Sequence, residues 1–210
     1  MTINTNELVN ILSQSPKELR VMTFNRLFLL MLLLFLLVTS IILGVRDNID
    51  GLYTVYTAFQ KTAILGCASL MSLSFINKAA CPIERAIPKW SKITLPVIVM
   101  ILAVIEIYLQ PLSVIKAGLL SPSFVTCLIA VSSYGSLAII ASTWLMRKYA
   151  PFDVKNTGGI IGFAASTIAA LGYSIHCPID SIVFMIIAYG MPMMMLYLAG
   201  RFIIPRFIKW

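Results

Sequence analysis

Residues 27–45 read LFLLMLLLFLLVTSIILGV, a run without a single charge. A helix needs about 20 such residues to cross the roughly 30 Å hydrocarbon layer of a bilayer. The run exceeds the apolar core of a secretory signal, which is about 7–15 residues long. Its end, Gly44-Val45-Arg46-Asp47, offers no small-x-small cleavage site. The run therefore reads as a membrane span. Working outward, five further apolar stretches of similar length occur at about 53–76, 93–112, 124–146, 158–175 and 181–204. Their continuous apolar character excludes a β-barrel, whose strands alternate apolar and polar residues. The fold expected is all-α: a polytopic membrane protein of six transmembrane helices. A cytoplasmic N-terminal segment, 1–24, precedes a six-helix transmembrane domain, 25–210.

The composition agrees. Of 210 residues, 60% are hydrophobic and 11% charged, and the mean hydropathy is +0.94. Soluble domains carry about 45–50% apolar and about 25% charged residues. A soluble cytosolic enzyme, a disordered tail and a disulfide-rich secreted module are excluded on this ground. The basic residues fall in alternate connections. Lys17, Arg20 and Arg26 precede the first span, Lys78, Arg85, Lys89 and Lys92 follow the second, Arg147, Lys148 and Lys155 follow the fourth, and Arg201, Arg206 and Lys209 close the chain. The opposite side has only Arg46 and Lys116. The positive-inside rule then puts both termini in the cytoplasm. It also accounts for the net charge of +8 without any direct nucleic-acid partner.

In the N-terminal segment, Asn4-x-x-Glu7 has the form of a capping box. Leu8, Val9, Ile11 and Leu12 come next at helical spacing, and Ser15-Pro16 ends the pattern. A helix this short is marginal alone in water and needs a surface for its apolar stripe. That surface is either the membrane interface or the bundle itself, or else a groove on a cytoplasmic protein.

Four cysteines occur, with no CxxC, so no thioredoxin-like relay is written here. Cys127 stands one turn inside the outer end of the fourth span. Cys177 lies in the outer connection between the fifth and sixth, directly after His176, the one histidine, and three residues before Asp180. His176, Cys177 and Cys127 could converge as ligands for a soft metal. The two thiols could instead form a disulfide, or the imidazole could make Cys177 reactive. A short loop in which His176 and Asp180 are merely solvated is the plain alternative.

Two charges lie inside spans, where they are costly and paired or functional. Lys61 and Glu106 sit at similar depth in consecutive antiparallel spans, so an intramembrane Lys61–Glu106 ion pair is expected. Gly158, Gly162, Ser166 and Ala170 form a small-residue ridge at four-residue spacing, suited to close helix approach. The run Met191-Pro-Met-Met-Met195 reads as apolar filler rather than a copper site. No serine–histidine–acid set, phosphate-binding glycine loop or HExxH is present. The chain is therefore not expected to be an enzyme, and no resident cofactor is expected beyond a metal ion sensed at the periplasmic face.

The stretches Leu145-Met-Arg-Lys-Tyr-Ala-Pro151 and Tyr173-Ser-Ile-His-Cys-Pro-Ile-Asp180, with Tyr189-Gly190, Gly200 and the basic end at Trp210, resemble the NrsF family of negative regulators of sigma F. The likeness is most specific at Arg147, Ala150-Pro151 and His176-Cys177-x-x-Asp180. It extends to Cys127, to Lys61 after Phe59 and to Glu7-Leu-Val9-x-x-Leu12. Where the family's second span ends near Pro-Gly, this chain has Ala80-Cys81-Pro82-Ile83-Glu84. The resemblance implies a multi-pass anti-sigma factor of the bacterial inner membrane. Glu7, Leu8, Val9, Ile11 and Leu12 would hold an extracytoplasmic-function sigma factor. A redox or metal signal at Cys127, His176, Cys177 and Asp180 would release it. The alternative is a small metal or solute transporter using Lys61, Glu106 and the Met-rich sixth span.

Overall fold

The computed structural model of the protein describes residues 17–42, 44, 52–79, 89–109, 111–146 and 153–207. Among them are seven helices and no strand. They are α1 (Lys17–Ile42), α2 (Leu52–Ala79), α3 (Lys89–Leu109), α4 (Leu112–Leu119), α5 (Pro122–Met146), α6 (Val154–Ser174) and α7 (Ile182–Phe207). The all-helical expectation holds. Four helices, α1, α2, α5 and α7, contain stretches long and apolar enough to cross a membrane, and α3 contributes a shorter one. Helix α1 begins at Lys17, directly after the Ser15-Pro16 stop, and continues across position 24. The stretch expected to run to 112 divides: α3 ends at Leu109 and α4 starts after Pro111, which is extended at φ −65°, ψ 138°. Proline has no N–H for a helical bond and drives the residue before it out of the helical region.

The bundle is built around α6, which packs against α1, α2, α5 and α7. It is rich in glycine, alanine, serine and threonine, and its side chains from Gly158 to Ser174 are almost all buried. Outer helices show the reverse. In α1, Phe28, Phe35 and Thr39 face inward while Leu29, Leu30, Leu33, Leu34 and Leu37 are exposed. Such an exterior suits hydrocarbon, where apolar surface costs nothing and small interfacial residues let backbones approach. Phe35 also stacks on Tyr134 of α5, with ring centroids 4.9 Å apart.

The small-residue ridge of α6 is where α7 lies. A Cβ on Gly158 would come 2.5 Å from the Gly200 carbonyl oxygen, and one on Gly162 would collide with the Leu196 carbonyl. Helix α5 turns a regular row inward: Cys127, Val131, Gly135, Ala138, Ser142 and Leu145. Between α2 and α6, the Ser72 and Thr167 hydroxyls meet at 3.2 Å. At the N-terminus of α6, the Asp153 carboxylate accepts from the Asn156 N–H at 3.0 Å, satisfying a donor the helix itself leaves free.

Candidate functional site

Only seven residues, 175–181, join α6 to α7, and groups from four helices converge on them. The chain leaves α6 with the Cys177 N–H still donating to the Tyr173 carbonyl at 3.2 Å. Pro178 comes next, with no N–H to give. The carbonyls of Cys177 and Ile179 therefore need donors from elsewhere, because a buried carbonyl without one is costly.

Lys61 of α2 supplies them. Its Nζ donates to the Cys177 carbonyl at 3.0 Å and to the Ile179 carbonyl at 3.1 Å. It also pairs with Asp180 Oδ1 at 2.8 Å. An ammonium has three protons and no acceptor, and here each proton has a partner. The lysine is 1% exposed, a burial that requires such complete satisfaction.

Glu106 of α3 takes the next segment. Its Oε2 accepts from the Val183 N–H at 2.9 Å, in the first turn of α7. The Ser181 hydroxyl accepts from Phe184 N–H at 3.2 Å. A carboxylate there meets unpaired N–H groups and the positive end of the helix dipole.

The expected Lys61–Glu106 ion pair is thus corrected. The two charges do not bond to each other; Lys61 grips the connection and Glu106 the first turn of the helix that follows it. The reason is packing. Matching depth implies pairing only between neighbours, whereas α2 packs chiefly on α6 and α3 on α7. Lysine then finds carbonyls and a carboxylate, and glutamate finds a helix N-terminus.

The two thiols do meet. Cys127 Sγ and Cys177 Sγ stand 3.3 Å apart, both unbonded to any other sulfur and both fully buried. This is longer than a sulfur–sulfur bond of about 2.05 Å and close enough for one thiol to donate to the other. The Cys127 hydrogen bond holds the Cys177 thiol below the ordinary thiol range; burial opposes this, and the Lys61 charge reinforces it. The tyrosines of α6 and α7, Tyr173 and Tyr189, act on both sulfurs. The Tyr189 hydroxyl is buried and without a hydrogen-bond partner.

His176 goes elsewhere. Its Nδ1 donates to the Gly44 carbonyl at 2.9 Å, just past the end of α1, where Gly44 takes a positive φ of 75° that suits glycine. The ring is 5.9 Å from that of Tyr173. The expected metal set of His176, Cys177 and Cys127 is therefore corrected too: among the described residues no three His, Cys, Asp or Glu groups stand close enough to hold an ion. The adjacent His176 and Cys177 point different ways, and the imidazole is spent on tying the loop to Gly44 beyond α1.

Met191, Met194 and Met195 are exposed on the outside of α7, whereas Met193 packs partly against the core. The stripe Glu7, Leu8, Val9, Ile11 and Leu12 lies outside the described residues, as do Cys81, Arg147 and Ala150-Pro151. Tyr173 and Tyr189 are neighbours of the thiols that the sequence reading does not place in the site. Tyr173 stands four residues before Cys177, and both tyrosines occur in the stretches that carry the family resemblance.

Among known proteins, a family model described as NrsF, negative regulator of sigma F, matches residues 8–210. No curated protein and no solved structure matches the chain.

Proposed function

The chain belongs to the NrsF family of negative regulators of sigma F, and from that premise we propose a membrane-bound anti-sigma factor governed by a thiol switch. Family membership supports a sigma factor as partner, here an extracytoplasmic-function type held at the bacterial inner membrane. The exposed leucines of α1 and the apolar α2, α5 and α7 support a multi-pass chain in a lipid bilayer. The basic connections support six spans with both termini cytoplasmic. Glu7, Leu8, Val9, Ile11 and Leu12 then form the helix that docks the sigma factor in a groove.

One observation carries the switch: two free, buried thiols 3.3 Å apart at the α6–α7 connection. Oxidation to a disulfide draws the 175–181 segment toward α5. That segment is fastened to α2 by Lys61 and to Gly44, just past α1, by His176, and Glu106 of α3 holds the first turn of α7 that follows it. A small movement there reaches four helices at once, and packed interfaces respond to such shifts by changing arrangement rather than by bending smoothly. Release requires that the oxidised chain favour the state with the weaker hold on the sigma factor.

The test has two arms. Full-length protein purified from mild-detergent membranes should carry a sigma factor and lose it with Leu8→Asp/Leu12→Asp; continued capture by that variant sinks the docking helix. Cys127→Ser and Cys177→Ser should each abolish induction of the sigma factor's targets by oxidants. Unchanged induction removes the switch and leaves the anti-sigma reading standing.

A further inference from the structure

Lys61 does more than neutralise a buried charge. Two of its three bonds go to main-chain carbonyls on either side of Pro178, those of Cys177 and Ile179, at 3.0 and 3.1 Å. The residue that bears one sulfur is thereby clamped to α2 by its own carbonyl. The third bond goes to Asp180. The cation is one-sided with respect to the pair. It binds the Cys177 backbone directly, whereas Cys127 hangs from α5 among Cys177, Tyr173 and Tyr189.

Resting on the thiol-switch reading, we propose that Lys61 is the positioning residue that makes Cys177 the attacking sulfur of the pair, with Cys127 the resolving thiol, and that the oxidant is a small hydroperoxide. The Lys61 charge helps hold Cys177 ionisable, second to the Cys127 hydrogen bond among the favourable influences. The groups facing Cys177 are Lys61 from α2, Cys127 from α5 and Tyr189 from α7, with Tyr173 of α6 in electrostatic reach; of its own segment, Asp180 is engaged on Lys61 and His176 is turned to Gly44. Tyr189, buried without a partner, is a donor ready for a thiolate. Both sulfurs are fully buried, which rejects another protein's disulfide and leaves a small oxidant, entering by brief local opening of the packing, as the reagent that fits.

The chemistry balances. The Cys177 thiolate attacks the terminal oxygen of the hydroperoxide; an S–O bond forms and the O–O bond breaks. Cys177 is oxidised to the sulfenic acid, and the leaving alkoxide or hydroxide takes a proton to become alcohol or water. The Cys127 sulfur then displaces hydroxide from Cys177. The S–S bond forms, the S–O bond breaks, and the Cys127 proton leaves with the hydroxide as water. One hydroperoxide is reduced by two electrons and the two thiols are oxidised by two.

The experiment uses full-length protein in lipid nanodiscs treated with hydrogen peroxide between pH 5.5 and 9, with free thiols alkylated and counted by mass spectrometry. Wild type should form the Cys127–Cys177 disulfide. Lys61→Met should move the midpoint of the rate–pH profile upward and slow oxidation about fivefold at pH 7, because rate follows the thiolate fraction. Lys61→Arg should restore most of the rate. If wild type oxidises and Lys61→Met shows the same profile, the role of Lys61 is overturned while the switch survives. If wild type forms no disulfide, the switch itself fails. Should Lys61→Met not fold, trapping decides. A 1,3-dione probe should label Cys177 in Cys127→Ser and leave Cys127 unlabelled in Cys177→Ser; labelling at Cys127 instead overturns the assignment.

Discussion

Helices α6 and α7 are held together in opposite ways at their two ends. Toward the far end, where Gly158 and Gly162 meet Gly200 and Leu196, the fastening is an absence: backbones touch because side chains are missing. At the near end, the 175–181 connection is held by charge, by Lys61 on three acceptors and Glu106 on the first turn of α7. A steric seam has one acceptable geometry. Polar bonds can be exchanged for others at modest cost. The thiol pair sits at the end held by polar bonds, not at the end held by backbone contact.

The comparison can be broken most severely at the seam. Gly162→Leu drives a side chain into the Leu196 carbonyl, and neither backbone can yield; the expected result is no cooperative thermal transition for the detergent-solubilised protein. A normal transition would mean that the seam is slack. Next comes Lys61→Met, which strips the donor from two carbonyls and the Asp180 carboxylate. Removing one partner of a buried pair costs about 3–5 kcal/mol, read as a lowered unfolding temperature. Pairing it with Asp180→Leu should return part of that loss, and strictly additive effects would deny the ion pair.

Glu106 sharpens the polar end. Glu106→Leu orphans the Val183 N–H for about 1–3 kcal/mol. Glu106→Gln keeps an oxygen acceptor and should lose only the attraction to the helix dipole, about 0.3–1 kcal/mol. Equal losses in the two variants would refute the capping role. The smallest effect has the opposite sign. A Cβ on Gly190 meets nothing within 4 Å, so Gly190→Ala should stabilise α7 by up to about 1 kcal/mol. Destabilisation there would show that glycine is needed for a second conformation of the helix.

Much of this is legible residue by residue. The run at 27–45 announces a helix long and apolar enough to cross a membrane, because apolarity over about 20 residues is a local property. The ridge Gly158, Gly162, Ser166, Ala170 declares a close contact, because four-residue spacing stacks positions on one helix face. The helix that the ridge belongs to carries fewer of the large apolar side chains that make a span conspicuous, yet it is the centre of the bundle. The break at Pro111 escapes a reading by hydropathy, because apolar character runs through it, while the missing N–H and the constraint on residue 110 do not register on that scale. Lys61 and Glu106 stand out as buried and in need of partners, but depth alone pairs them with each other, and depth does not say which helices touch.

By itself, the sequence determined that this protein is largely apolar and, over the described residues, helical, where its basic residues fall, and that Lys61 and Glu106 are charges in need of partners. These features come from composition and short-range spacing, which act within one helix or one turn. Tertiary structure alone decided which of them meet. The 3.3 Å thiol pair spans 50 positions and the Lys61 bonds span 116 and more. Partners at such separation are chosen by which helices pack together: α2 on α6, α3 on α7, and α6 and α7 on each other, backbone to backbone at the glycine seam.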